Sequence, residues 1–157
     1  FLTLGSDLSA EFGTIPVRSI REEEIRDMID ASVPVIQAGY GGEESKSLSA
    51  HFNCSIVDVS DSEINLVIHQ CDSLWGDSGS PLLLFDRDRY SVLAVDSRFN
   101  SYEGESKILN LAVDSRAFYE TYVSLGGLPA SPSAEQADSM RPAVLDNLTD
   151  GDRVSPP

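Results

Sequence analysis

Long apolar runs are missing. The longest, such as Leu82-Leu83-Leu84-Phe85, stop far short of a bilayer's thickness, so no segment reads as a transmembrane helix. Basic side chains are scarce as well. Eleven Lys and Arg stand against 26 Asp and Glu, a net charge of −15 at pH 7, and that field repels phosphate backbones and anionic lipid alike. Nucleic acid and membrane are therefore not expected partners. Histidine and cysteine occur twice each, as His51, His69, Cys54 and Cys71. So few residues leave no Cys/His array for zinc, and no glycine loop has the spacing that cradles a phosphate. No cofactor is expected. The acids at 22–24 and 58–63 lack the spacing of a calcium loop and read as solvated faces.

What is present is 157 residues, 41% of them hydrophobic, enough chain for one domain with a real core. Composition predicts a soluble, acidic, globular protein. The chain starts at Phe1 rather than methionine, which reads as a processed chain or a gene fragment. Residues 129–157 hold five of the eight prolines with much Ser, Ala and Asp and no sustained apolar period. Such a stretch buries too little surface to offset its ordering entropy and reads as a disordered tail, leaving a working domain over 1–128.

Within that domain strands dominate. Residues 1–4, 32–38, 47–53, 55–59, 64–70, 80–85, 90–96 and 108–113 are short runs rich in Val, Ile and Leu. Turn chemistry at Gly39-Tyr40-Gly41-Gly42, 61–63 and 86–88 separates several of them. Ser19 followed by Glu22 predicts a capped helix over 20–29, and residues 116–125 form a second helix stopped by Gly126-Gly127. Many short strands with a late helix predict an all-β barrel or sandwich. Residues 55–60 and 64–70 pattern as a hairpin. Pairing positions that sum to 125 sets Val57 against Ile68, Val59 against Leu66, and Cys54 against Cys71. Directly opposed strand residues have Cα atoms about 4.5–5.5 Å apart, within disulfide reach. The predicted bridge implies an oxidising compartment.

The segment that carries chemistry is Cys71-Asp72-Ser73-Leu74-Trp75-Gly76-Asp77-Ser78-Gly79-Ser80-Pro81. Acyl transfer needs an exposed hydroxyl beside backbone N–H groups able to hold an oxyanion. A serine between two glycines on a loop joining strands supplies both. Chain order then selects among hydrolase plans. The α/β-hydrolase motif needs a second glycine where Ser80 stands and a histidine after the serine, and no histidine follows Ser78. Only orders with histidine and aspartate before the serine survive.

The segment resembles the C-terminal half of chymotrypsin-like serine proteases, in particular the bacterial trypsin-like and glutamyl-endopeptidase-like branch. There the nucleophile motif commonly reads Cys-Asp-x-x-x-Gly-x-Ser-Gly-Ser-Pro. Ala38-Gly39-Tyr40-Gly41, Ala50-His51-Phe52-Asn53-Cys54, Ile68-His69-Gln70-Cys71-Asp72 and Asn110-Leu111-Ala112-Val113 resemble successive landmarks of that branch, and the likeness covers about residues 1–122. It implies a two-barrel antiparallel fold of which this chain is the C-terminal β-barrel, with one short helix and a C-terminal helix. It implies Ser78 as the acylated nucleophile and backbone N–H groups across Gly76, Asp77 and Ser78, chiefly those of Gly76 and Ser78, as the oxyanion hole. Asp72, six residues before Ser78, falls where trypsin-like members hold a specificity carboxylate, and Asp96 falls near the same pocket. Both lean toward cleavage after Arg or Lys. By the same resemblance Asp77 is the residue that pairs with a newly freed α-ammonium.

A triad also needs a base and an orienting acid. His51 superficially mimics the family's Thr-Ala-x-His-Cys signature but sits only 27 residues before Ser78, on a stretch that matches a C-terminal-barrel strand. His69 opposes Ile56 in the predicted hairpin and reads as a satisfied strand histidine. Residues 1–4 resemble the end of the strand that opens on the triad aspartate, which places that aspartate and the base upstream of Phe1. The expectation is a secreted or periplasmic serine endopeptidase acting on polypeptides. Its N-terminal barrel would come from the same precursor or a separate chain. The alternative is a non-catalytic module that keeps the protease fold.

Overall fold

Alternating Val, Ile and Leu resolve into six antiparallel strands: β1 (Pro34–Gly39), β2 (Ser49–Ser60), β3 (Leu66–His69), β4 (Pro81–Asp86), β5 (Arg89–Asn100) and β6 (Leu109–Asp114). This computed structural model describes residues 4–42, 47–60, 65–100 (side chains to 97) and 109–127. The strands close in the order β1-β2-β3-β6-β5-β4. Pairing of Ile36 with Leu83 joins β1 to β4, so closure satisfies edges that an open sheet would expose. β4 turns into β5 through Arg87 and Asp88, both with positive φ (50° and 62°), as a two-residue hairpin of this hand requires.

Residues 16–127 hold the barrel and its helices, and the described residues 4–15 fall in a second unit. In the second unit the single turn α1 (Ser9–Phe12) begins where Asp7 Oδ1 accepts the Ser9 N–H at 2.8 Å. Leu4 is exposed and outside any strand, while the rest of the expected strand over 1–4 and the expected tail over 129–157 lie outside the described residues.

Two predicted strands, 47–53 and 55–59, are one. Asn53 adopts φ 61° inside β2 and absorbs the irregular register against β1 without ending the strand. The predicted hairpin register holds beside the cysteines, where Ile56 opposes His69, and then slips by one. Past a bulge between Ile56 and Asp58, Ile68 faces Asp58, Val67 faces Val59, and Leu66 faces Ser60. The extra residue is Val57, and nothing in the alternation of apolar residues signals it.

The helix α2 (Glu22–Asp30) starts two residues later than the Ser19–Glu22 pattern predicts. Ile20 is buried in the core, which keeps the entry extended, and the Arg21 N–H bonds Glu24 Oε2 at 3.0 Å in its place. The second predicted helix is divided. A 3-10 turn at Ser115–Ala117, capped by Asp114, precedes α3 (Tyr119–Ser124), which ends as Gly126 N–H bonds Val123 O and Gly127 N–H bonds Tyr122 O. The core gathers Val35, Cys54, Ile56, Val59, Val67, Leu82, Leu93, Ala94 and Ala112 from the strands, Cys71 from the loop after β3, and Ile25 from α2. Cys54 and Cys71 form the predicted disulfide with a Cα–Cα separation of 4.9 Å. Among the described residues no helix is long and apolar enough to cross a membrane.

α2 is tied to β6 by charge. Arg116 forks onto the fully buried Asp114 carboxylate at 3.0 and 2.9 Å, and its remaining nitrogen meets Glu22 Oε2 at 2.9 Å. Asp114 and then Glu22 push the guanidinium pKa up, whereas Arg26 and Arg116 hold Glu22 below its ordinary value of 4.5.

A group with a depressed folded pKa stabilises above its unfolded pKa and loses that contribution as pH falls through the folded one. Glu22→Gln is therefore expected to lower the melting temperature at pH 7, with the gap closing as pH falls below about 4.5; a gap independent of pH would contradict the ion-pair account. The disulfide closes a sequence separation of 17 residues, so reduction is expected to cost about 3 kcal/mol in urea unfolding.

Candidate functional site

Leu74-Trp75-Gly76-Asp77-Ser78-Gly79-Ser80 folds as two successive turns. Asp77 N–H bonds Leu74 O at 3.1 Å, and Ser80 N–H bonds Asp77 O at 2.8 Å. Each turn needs a positive φ at its third residue, and glycine supplies both: Gly76 at 103° and Gly79 at 96°. Ser78 is thereby held at the exposed surface between them. Among the described residues the N–H groups of Gly76 and Ser78 carry no hydrogen bond, whereas that of Asp77 is taken by Leu74.

The loop is docked on β5. Gly79 N–H bonds Asp96 O and Asp96 N–H bonds Ser80 O, both at 2.8 Å, and Ser78 Oγ donates to Ser97 O at 2.9 Å. That carbonyl is available because β5 bulges against β6 between Asp96 and Arg98, which turns Ser97 out of the ladder. Sequence reasoning missed Ser97, since a bulge leaves no residue signature there.

Asp77 is only 2% exposed. Its Oδ2 accepts the Leu74 N–H at 2.7 Å, and its Oδ1 has no partner among the described residues. The carboxylate lies against the β1 end: a Cβ on Gly39 or Gly41 would come within 2.5 Å of it. The Gly39-Tyr40-Gly41 landmark thus forms a niche around this acid. Tyr40 and Trp75 are exposed beside it, and Gly42 N–H bonds Trp75 O at 2.7 Å.

The other expected residues divide. Asp72 is a surface residue, its side chain 87% exposed; its N–H donates to His51 Nδ1 at 2.7 Å and its carboxylate stands 3.5 Å from that nitrogen. Asp96 is buried, 4% exposed, with Oδ2 accepting from Ser73 Oγ and Oδ1 3.6 Å from His69 Nε2. His69 is fully buried on β3, its Nδ1 accepting the Cys71 N–H at 3.4 Å. Asn110, opposite His69 on β6, donates to Cys71 O at 2.6 Å. Gly76, Asp77, Ser78 and Asp96 are therefore joined in one loop-and-strand unit, while Asp72 is bonded to β2 through His51. The one hydrogen bond of the Ser78 hydroxyl among the described residues goes to a backbone carbonyl, and neither histidine meets it. Among the described residues no cluster of His, Cys, Asp and Glu is arranged to hold a metal ion.

No protein-family model matches the chain, and no characterised protein matches its sequence.

The niche predicts a steric outcome. Gly41→Ala places a methyl against the Asp77 carboxylate, and an overpacked buried site of this kind costs about 1–3 kcal/mol. Urea unfolding of that variant checks it, with Gly5→Ala, where an added Cβ meets nothing within 4 Å, as the control.

Proposed function

We propose that this chain is the nucleophile-bearing, chymotrypsin-like barrel of a serine endopeptidase. The observation that carries this reading is the Ser78 turn: an exposed hydroxyl between two glycines, with the Gly76 and Ser78 N–H groups unbonded among the described residues. Amides left without partners next to a nucleophile suit an oxyanion, because they need no rearrangement as charge develops. The closed antiparallel barrel and the Cys54–Cys71 bridge accord with the fold that the Ser78 motif implies.

In the proposed reaction Ser78 Oγ attacks the scissile carbonyl while a histidine base takes its proton. The oxyanion sits between the Gly76 and Ser78 amides. Collapse transfers the proton to the leaving amine and leaves an acyl-Ser78, which water hydrolyses through the same steps. Neither His51, occupied by the Asp72 N–H, nor the fully buried His69 meets Ser78. The base and its orienting aspartate are therefore assigned to a companion N-terminal barrel, from the same precursor or a separate chain. Asp72, exposed and anionic, is the proposed recognition group for Arg or Lys before the scissile bond. Asp77, with a buried carboxylate oxygen that has no partner among the described residues, is the proposed acceptor for a freed α-ammonium. The disulfide favours a secreted or periplasmic setting.

A fluorophosphonate probe tests the reading. The chain assembled with its companion barrel is expected to label covalently, and Ser78→Ala to reduce labelling by about 1,000-fold or more. The isolated chain is expected not to label. Labelling of the isolated chain would refute the assignment of the base, and an assembled protein that stays unlabelled would leave a non-catalytic module of the same fold.

A further inference from the structure

Asp96 touches the Ser78 loop at both of its ends. Its backbone N–H and C=O hold Ser80 and Gly79 just after the nucleophile, at 2.8 Å each. Its carboxylate holds Ser73 Oγ at 2.5 Å, just after the Cys71 disulfide. The second carboxylate oxygen stands 3.6 Å from His69 Nε2, too far for a hydrogen bond, and that nitrogen has no hydrogen-bond partner among the described residues. The ring is held instead through Nδ1, which accepts the Cys71 N–H. Asn110 completes the arrangement by bonding Cys71 O.

Burial argues the same way. Ser73, Asp96, His69 and Asn110 are 8%, 4%, 0% and 0% exposed. A carboxyl group enclosed this tightly is bonded by Ser73 Oγ and covered by the His69 ring, and a substrate cation would have to displace one of them to reach it. Asp72, by contrast, stands at the surface.

Building on the reading of Ser78 as the nucleophile, we infer that the two carboxylates do different work: Asp72 alone selects a basic side chain, and Asp96 is a positioning residue. Through Ser73 and its own backbone pairing with Gly79 and Ser80, Asp96 fixes the span from Ser73 to Ser80 and so the placement of the Gly76 and Ser78 amides. Asp96→Asn removes the charge and leaves Ser73 Oγ a neutral amide partner in place of the carboxylate, which weakens a charge-assisted bond. The loop is then held more weakly at one end without losing its nucleophile.

The test uses the chain assembled with its companion barrel, an uncharged fluorophosphonate, and paired peptides with Arg or Gln before the scissile bond. Asp96→Asn is expected to slow labelling and lower kcat by about 10-fold or more, with the Arg-to-Gln ratio of kcat/KM held within about 2-fold. Asp72→Asn is expected to lower that ratio by about 10-fold or more. Ser73→Ala, which removes one hydrogen bond and no charge, is expected to slow labelling by about 3- to 10-fold, and it decides the matter should Asp96→Asn not fold. Unchanged labelling in Asp96→Asn or in a folded Ser73→Ala overturns the inference alone, as does a collapse of the Arg-to-Gln ratio in Asp96→Asn with kcat intact. Absence of labelling in the unsubstituted assembly overturns the parent reading and this inference together.

Discussion

A loop that must present one hydroxyl and leave amides unbonded cannot be held by its own turns alone. Here the constraint is met by docking it against the bulged stretch of β5. Asp96 pairs through its backbone with Gly79 and Ser80, and Ser97, turned out of the β5–β6 ladder, receives the Ser78 hydroxyl. The bulge is the decisive element. An unbroken ladder would commit the Ser97 carbonyl to β6, and the hydroxyl would have no fixed direction. Barrel closure serves the same end, since β4, which follows the loop, is clamped between β1 and β5.

Beneath the loop lies a buried polar layer rather than an apolar one. His69, Asp96, Ser73 and Asn110 meet around Cys71, whose sulfur is bonded to Cys54 on β2. The layer is only partly satisfied, since among the described residues His69 Nε2 and Asn110 Oδ1 have no hydrogen-bond partner; what fixes the chain is the directionality of the bonds from Ser73 to Asp96, from Cys71 N–H to His69 and from Asn110 to Cys71 O. On the other side, Gly39 and Gly41 leave room for the Asp77 carboxylate. The loop is gripped from β1 and from β5, and Ser78 sits between.

Much of this was legible from residues. Val, Ile and Leu alternation located all six barrel strands, and the opposed cysteines revealed their bridge because a two-residue period fixes which side chains meet. The turn glycines at 76 and 79 were readable because only glycine adopts those backbone angles cheaply. The bulges were not. Val57 and Ser97 are ordinary strand residues, and what displaces them is the geometry of neighbouring strands. The late start of α2 was hidden for a related reason, since burial of Ile20 outweighs a local capping pattern. The neighbours of the Asp96 carboxyl come from β3 and from the far end of the Ser78 loop, contacts that no window of sequence spans.

The central claim is that the Gly76 and Ser78 amides face the position an oxyanion would take next to the Ser78 hydroxyl. A crystal structure of the assembled protein with a peptide aldehyde measures this directly. The account predicts a hemiacetal on Ser78 Oγ with its oxygen about 2.7–3.1 Å from both amide nitrogens. An adduct on another residue, or an oxygen directed away from those amides, would contradict it.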